Sequence, residues 1–191
     1  MISKHTRIAA AMAALTLSAC GGGGQASIGG TVTGLGTGLT AVLQNNGTDT
    51  LNVTANGNFT FGTQLAAGAA YSVTVLTNPT GQVCQVANGA GSVNSNANSV
   101  TTIAVACVNT ATLTGTVNGL LAGRAVTLFN GSVLLPVAAN GTASFPGVLV
   151  AGTTYTVTVA TQPYGQSCVV TDATGTVSTA GSVTPFTVTC T

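Results

Sequence analysis

The chain has 191 residues, of which only three are lysine or arginine and two are aspartate or glutamate, so its formal net charge is +1. It lacks the basic surface with which proteins neutralise nucleic-acid phosphates. Apolar residues make up 45% of the sequence, so it does not combine the low hydrophobicity and high charge that keep chains disordered. The composition predicts a folded protein that does not bind nucleic acid.

The first segments of the chain are in the order of an export signal. Lys4 and Arg7 supply positive charge, and an apolar run of about ten residues follows from Ile8 to Leu17. This run is too short for a bilayer-spanning helix, which needs roughly 20 residues. It ends in Leu17-Ser-Ala-Cys20, which resembles the lipobox of bacterial lipoproteins.

Lipidation at Cys20 would place the protein in the bacterial cell envelope. The resemblance implies that residues 1–19 are a cleaved signal peptide and that the Cys20 sulfur carries a diacylglycerol, with palmitate among its acyl chains. Gly21 rather than aspartate follows, which in that family favours the outer membrane. Residues 20–27 are glycine-rich and predict a flexible tether to a lipid that holds firmly through several acyl chains. The alternative is a soluble secreted protein cut after Ser18-Ala19.

The rest of the sequence is an internal duplication. Ile28-Gly-Gly-Thr-Val-Thr-Gly-Leu35 recurs as Leu113-Thr-Gly-Thr-Val-Asn-Gly-Leu120, Ala67-Gly-Ala-Ala-Tyr-Ser-Val-Thr-Val75 as Ala151-Gly-Thr-Thr-Tyr-Thr-Val-Thr-Val159, and Pro79-Thr-Gly-Gln-Val-Cys84 as Pro163-Tyr-Gly-Gln-Ser-Cys168. The matches keep their order and nearly their spacing. Because two copies are fewer than a solenoid usually needs, we predict two domains that fold independently. They are the first repeat, residues 28–109, and the second repeat, residues 110–191.

Within each repeat, apolar and polar residues alternate with a period of two. Tyr71, Val73 and Val75 alternate with Ser72 and Thr74, as on a strand with one buried face. Glycines and Asn-Gly pairs mark the turns between such strands. We count about seven short strands in each repeat and predict an all-β protein of two tandem antiparallel β-sandwich domains.

Three of the repeated strings resemble prealbumin-like, or carboxypeptidase regulatory-like, sandwiches. They are Gly-Thr-Val in the first strand, Asn-Gly-x-x-x-Phe at mid-domain, and Ala-Gly-x-x-Tyr-x-Val-x-Val after it. More closely, Leu43-Gln-Asn-Asn-Gly47 resembles an Ig-like repeat of bacterial lipoproteins, whereas the second repeat has Leu128-Phe-Asn-Gly131 there. The resemblance implies a β-sandwich and no particular activity, because such motifs specify fold better than activity.

Four cysteines follow Cys20 and could pair in three ways. The duplication assigns one pair to each repeat, at nearly equal spacing: Cys84 with Cys107, and Cys168 with Cys190. An exported protein oxidises such pairs. A zinc site is the alternative, but the sequence after the signal peptide has neither histidine nor Cys-x-x-Cys, which zinc sites commonly use. We predict two disulfides and no metal.

Few side chains that could carry out catalysis remain after the signal peptide. Arg124, Asp49 and Asp172 are the only charged side chains there, and no histidine is left for a Ser-His-Asp arrangement. The aspartates occupy non-equivalent positions of different repeats, so we predict turn residues rather than the paired carboxylates of a glycosidase. No glycine cluster lies between a strand and a helix, as nucleotide loops do. We predict a protein that is not an enzyme and binds no cofactor.

The tyrosines are the remaining candidates for a binding site. Tyr71 and Tyr155 are equivalent in the two repeats, and we predict core residues with the hydroxyl at the edge. Tyr164 has no counterpart, because Thr80 takes its place. It is the best aromatic candidate for an exposed sugar or protein contact, with an ordinary loop position as the alternative. Arg124 is interpreted as a solvated charge.

These observations favour a non-enzymatic, lipid-anchored envelope protein with a structural or adhesive role. Its partners would be the membrane, through the Cys20 lipid, and an envelope protein or a glycan. The alternative function is a carbohydrate-binding module at the cell envelope, because β-sandwiches can carry sugar sites on a face or a loop end. An enzyme is the third and least supported reading.

Overall fold

The computed structural model of the protein describes residues 24–191. The predicted signal peptide, residues 1–19, and the predicted lipid site Cys20 lie outside the described residues. The described part contains nineteen strands, and none of its residues is helical. Among these residues there is no helix that could cross a membrane.

The first repeat contributes ten strands, which are short apart from the last. They are β1 (Gln25–Ala26), β2 (Ile28–Thr33), β3 (Ala41–Asn45), β4 (Asp49–Val53), β5 (Gly57–Thr60), β6 (Leu65–Ala66), β7 (Ala70–Thr77), β8 (Gln82–Ala87), β9 (Ala90–Ser92) and β10 (Val100–Ala111).

The second repeat contributes nine strands in a matching order. They are β11 (Thr114–Asn118), β12 (Val126–Asn130), β13 (Val133–Val137), β14 (Gly141–Ser144), β15 (Leu149–Val150), β16 (Thr154–Thr161), β17 (Cys168–Thr171), β18 (Thr174–Thr176) and β19 (Phe186–Cys190).

Both repeats have the same sheet topology. In the second repeat one sheet has the order β13-β12-β16-β18 and the other β14-β11-β19-β17. In the first repeat the orders are β4-β3-β7-β9 and β5-β2-β10-β8. The predicted all-β sandwich class is confirmed. The two sheets of each repeat have four strands each, eight in all, whereas about seven strands were predicted. One pair in each repeat is parallel, β2 with β10 and β11 with β19.

Each repeat has its own hydrophobic core between its two sheets. The first core includes Ile28, Val32, Leu43, Val73, Ile103 and Val105, and the second includes Leu113, Val117, Leu128, Val157, Phe186 and Val188. Along β7, Val73 is buried between the exposed Ser72 and Thr74. The period-two alternation therefore identifies the buried faces correctly.

The two repeats are joined by a continuous strand. The expected boundary between residues 109 and 110 falls inside β10, which begins in the first repeat and ends in the second. Its N-terminal part pairs with β2 and β8, and its last residues, Thr110 and Ala111, pair with Val150 and Leu149 of β15. At about 3.3 Å per residue, the twelve residues of β10 span about 40 Å.

The fold begins within residues 20–27, the segment that was predicted to be a tether. Gln25 and Ala26 form β1 and pair with β6, and the Ala26 side chain is completely buried in the first core. Burial of an apolar side chain and pairing of the backbone outweigh the flexibility of a short glycine-rich segment. The equivalent of β1 in the second repeat is the end of β10, where Ala111 corresponds to Ala26.

Candidate functional site

Both predicted disulfides are formed. Cys84 is bonded to Cys107 and Cys168 to Cys190, with sequence separations of 23 and 22. In each pair the two cysteines lie directly opposite each other on antiparallel strands, β8 with β10 and β17 with β19. All four side chains are buried. Each disulfide therefore links the last strand of a repeat to its neighbour, which is a structural role.

The repeated Asn-Gly pairs hold a loop as well as marking a turn. The Asn140 side chain accepts a hydrogen bond from the backbone N–H of Leu120 and donates one to its carbonyl, both at 2.7 Å. Asn56 does the same to Leu35, at 2.9 and 2.8 Å. The sequence indicated the turn correctly, but the side-chain partner, about 20 residues away, was missed.

The two aspartates lie in different repeats, at the ends of strands. Asp49 opens β4, and its Oδ2 accepts a hydrogen bond from the backbone N–H of Thr63 at 3.0 Å. Asp172 lies between β17 and β18 with a positive φ of 52°, a conformation in which aspartate and asparagine are tolerated. Neither position resembles one of two carboxylates placed across a substrate.

The equivalent tyrosines Tyr71 and Tyr155 pack against their cores. Tyr155 is 3% exposed, and its hydroxyl donates to the carbonyl of Thr184 and accepts from the N–H of Thr184, both at 3.1 Å. Gly175 lies under this ring, where a Cβ would be 2.3 Å from the tyrosine hydroxyl. These tyrosines are structural residues of the sandwich.

Tyr164 and Arg124 come together on the surface of the second repeat. Tyr164 lies in the loop between β16 and β17 and is 83% exposed. The Cζ atom of Arg124, from the loop between β11 and β12, lies 5.1 Å from the centre of the Tyr164 ring, within the range of a cation–π contact. The sequence pattern predicted a separate role for each of these residues and did not indicate that they form a pair.

Gln166 connects the two loops that carry this pair. Its Oε1 accepts a hydrogen bond from the N–H of Leu121 at 3.0 Å, and its Nε2 donates to the carbonyl of Gly119 at 2.8 Å. The backbone N–H of Arg124 donates to the carbonyl of Leu121 at 3.1 Å. We call Leu121, Arg124, Tyr164 and Gln166 the Arg124–Tyr164 site.

The first repeat has the same loop framework with different side chains. Gln82 accepts a hydrogen bond from the N–H of Gly36 at 3.0 Å and donates to the carbonyl of Gly34 at 2.8 Å. Leu39 and Thr80 replace the arginine and the tyrosine. A signal for the pair was therefore present in the sequence, since both positions differ between otherwise matching repeats.

The Arg124–Tyr164 site lies at the end of the second repeat that is opposite to the first repeat. Strand β10 enters where β15 pairs with Thr110 and Ala111, just before β11 begins. Two loops form the site, the one after β11 and the one before β17. Both lie at the end of the sheet where β11 and β19 end. We call this end of the second repeat the distal end.

Exposed apolar side chains are concentrated in the second repeat. Among residues 24–191, eight large apolar side chains are exposed, and six of them belong to this repeat: Leu121, Leu134, Val148, Val150, Tyr164 and Val169. The first-repeat residues at the same positions are Gly36, Thr50, Gln64, Ala66, Thr80 and Gln85. Because the folds match, these differences change the surface rather than the architecture.

Metal ligands are not clustered in the part of the chain that the structure describes, where no group of three histidine, cysteine or carboxylate side chains is close enough to hold an ion. A surface cavity of about 400 Å³ lies between the repeats. Gly34, Val108 and Asn109 line it from the first repeat, and Ala151 and Thr179 from the second.

Comparison with known proteins yields a structural neighbour and no family. No protein-family model matches the sequence, and no curated protein matches it. Among solved structures, the chain is similar to one described as the Bacillus anthracis TIE protein, at 18% sequence identity and a TM-score of 0.36. The match covers 87% of this chain and 34% of that chain, so this chain spans about a third of that protein's length. At this identity and TM-score the likeness carries no inference about function.

Proposed function

We propose that the protein is a non-enzymatic, lipid-anchored component of a bacterial outer membrane, with a structural or adhesive role. The observation that carries this proposal is the continuous strand β10, which joins two sandwiches end to end. The N-terminal strand β1 lies at one end of this arrangement and the distal end at the other. A lipid on Cys20 would anchor the first repeat and let the second repeat make contacts away from the membrane.

The chemistry of the side chains also supports a role without catalysis. From Cys20 onward the sequence contains no histidine, lysine or glutamate, and its charged groups are one arginine and two aspartates. General acid–base catalysis uses histidine, carboxylates or lysine placed close to one another. The two aspartates lie in different repeats, one opening β4 and the other between β17 and β18.

Lipidation is tested by expressing the full-length protein in a lipoprotein-exporting bacterium with a clickable palmitate analogue. We expect the wild type to incorporate the label and to fractionate with the outer membrane, whereas Cys20→Ser should do neither. Gly21→Asp is the matched control, since it should keep the label but move the protein to the inner membrane. An unlabelled wild type, or a Cys20→Ser variant that still fractionates with membranes, would contradict the proposal.

Carbohydrate binding is the second candidate function, and the exposed Tyr164 ring favours it. A ring that is 83% exposed beside a cation can stack against the C–H face of a sugar and hold it with few rotatable bonds. The test is a glycan array probed with wild type, with Tyr164→Thr, which introduces the first-repeat residue, and with Leu134→Thr as a control for an exposed apolar residue elsewhere. We expect only Tyr164→Thr to lose binding. Absence of binding by the wild type would exclude this function.

A further inference from the structure

We propose that the Arg124–Tyr164 site binds a carboxylate-bearing sugar, a uronic-acid unit of an acidic polysaccharide. The sugar ring would lie on Tyr164 and its carboxylate on Arg124. This inference rests on the second candidate function above, glycan binding, and names the class of glycan.

The charge distribution favours an acidic ligand at this site. Arg124 is the only lysine or arginine among residues 24–191, and neither aspartate of these residues is at the distal end. Asp49 belongs to the first repeat. Strand β17 begins at Cys168, opposite Cys190 at the distal end, and runs away from that end before Asp172 follows it. The guanidinium therefore lies away from both aspartate side chains and can pair with a carboxylate from a ligand. The backbone of the last residue, Thr191, is hydrogen-bonded to Ser167 at this same end, so the Thr191 carboxylate is the chain's own acidic group nearest to the site.

The contact between the two side chains favours a ligand that is both cyclic and charged. With Cζ 5.1 Å from the ring centre, the Arg124 guanidinium is held against Tyr164 while its N–H groups keep their donor capacity. An arginine fork binds a carboxylate with two parallel hydrogen bonds. The exposed Tyr164 ring and the neighbouring Leu121, 58% exposed, offer an apolar surface for the less polar face of a sugar. A ligand with both a carboxylate and a ring matches this combination.

The loops that carry the two side chains are preorganised. Tyr164 lies in a tight turn in which Pro163 precedes it, Gly165 follows with a φ of 73°, and the N–H of Gln166 donates to the carbonyl of Pro163 at 3.3 Å. A glycine of positive φ at the third of the four turn positions is what a type II turn requires. Gln166 also bonds the Arg124 loop. A site whose loops are already fixed loses less entropy when it binds.

The first repeat has the same loop framework without the arginine and the tyrosine. There Gln82 is 5% exposed, and its Nε2 also donates to Oδ1 of Asn109, which leads into the second repeat. That end of the first repeat serves as the joint between the repeats and carries Leu39 and Thr80. At these two positions, arginine and tyrosine are found only in the second repeat, whose equivalent end is not used as that joint.

The test measures binding of the purified full-length protein to uronic-acid oligosaccharides by calorimetry. The probes are oligomers of galacturonate, mannuronate and a glucuronate-containing disaccharide repeat, each with its carboxyl-methylated form as a matched uncharged ligand. We expect at least one acidic probe to bind about tenfold or more tightly than its methyl ester, because a charge-assisted hydrogen bond is lost. Raising the salt concentration should weaken binding to the acid but not to the ester.

Three variants separate the roles of the two side chains. Arg124→Gln should weaken acid binding about tenfold or more and leave ester binding unchanged, and Tyr164→Thr should weaken both. Leu134→Thr should change neither. Circular dichroism and thermal unfolding check that the variants fold, which is expected because Gln166 and the backbone turns hold the loops.

The outcomes distinguish this inference from glycan binding as such. Binding to neutral sugars or methyl esters that equals acid binding and is unaffected by Arg124→Gln overturns the inference but keeps the carbohydrate-binding function. If the protein binds neutral glycans on the array but none of the acidic probes, the inference is also overturned and the carbohydrate-binding function is kept. No binding to any glycan overturns both.

Discussion

Gly30 in β2 and Gly115 in β11 lie where these strands run parallel to the last strands of their repeats, β10 and β19. A Cβ at Gly30 would be 1.8 Å from the carbonyl oxygen of Ile103, and a Cβ at Gly115 would be 2.3 Å from that of Phe186. Real Cβ atoms do not approach backbone oxygens so closely, so only glycine lets these parallel strands pair. The repeated Gly-Thr-Val string thus records a close approach of two strands that are far apart in sequence.

Replacing Gly115 by alanine should destabilise the second repeat. The added methyl group overlaps the backbone and the ring of Phe186, and overpacking of this kind costs about 1 to 3 kcal/mol. Urea denaturation followed by circular dichroism measures the effect as a lower midpoint. Gly62→Ala is the matched control, because a Cβ there meets nothing within 4 Å and the φ is not positive. Equal midpoints for the two variants would be the contrary result.

The last strand of each repeat is the element whose role the sequence indicated best. Alternation placed Ile103, Val105 and Cys107 on one face of β10, and all three are buried. The cysteine spacing, taken with the duplication, gave the correct pairs. Both signals are local or repeated, so they could be read without knowing which strands are neighbours. The parallel pairing of β10 with β2 could not be predicted in this way. It joins segments 72 to 73 residues apart, and neither the alternation nor the cysteine spacing identifies the partner strand.

Removing the second disulfide should lower the stability of the second repeat substantially. Cys168 and Cys190 close a loop with a sequence separation of 22, and loss of such a constraint on the unfolded chain costs roughly 3 kcal/mol. The double variant Cys168→Ala, Cys190→Ala, compared with wild type by thermal unfolding without reductant, should show a lower midpoint for the second repeat. Wild type with reductant is the control and should approach the variant. An unchanged midpoint would mean that the disulfide contributes little.

At the scale of the whole molecule, the joint between the repeats is made by backbone and one asparagine. The N–H of Ala151 donates to the carbonyl of Asn109 at 2.8 Å, and the Asn109 side chain donates to the carbonyl of Thr179 at 2.8 Å. The same side chain accepts from Gln82 at 2.9 Å. Asn109 thus forms hydrogen bonds with both repeats and lines the surface cavity between them.

Asn109→Ala should loosen the joint while leaving both cores intact. It removes two side-chain hydrogen bonds, each contributing about 0.5 to 1.5 kcal/mol, but keeps the backbone pairing of β10 with β15. Small-angle X-ray scattering should show a broader range of inter-repeat distances than in wild type, with little change in the thermal midpoint. Asn98→Ala, on an exposed turn of the first repeat, is the matched control. Identical scattering from Asn109→Ala and wild type would show that the continuous strand alone fixes the orientation.

The sequence by itself determined the all-β class, the duplication, the buried faces of the strands and the two disulfides. These features depend on residue spacing within a strand or on comparison of one repeat with the other. Composition also showed how few ionisable side chains follow Cys20. Each of these properties can be predicted from the sequence because its cause is local or because the same pattern occurs in both repeats.

Only the tertiary structure decided how distant segments meet. It placed Gln25 and Ala26 in the fold rather than in the tether, carried β10 across the expected boundary, and brought Arg124 to Tyr164 from separate loops. Each of these outcomes depends on a pairing between segments tens of residues apart, and a backbone hydrogen bond or a cation–π contact leaves no periodic pattern in the sequence. The candidate site is therefore a product of the packing of two loops, which the residue types alone did not reveal.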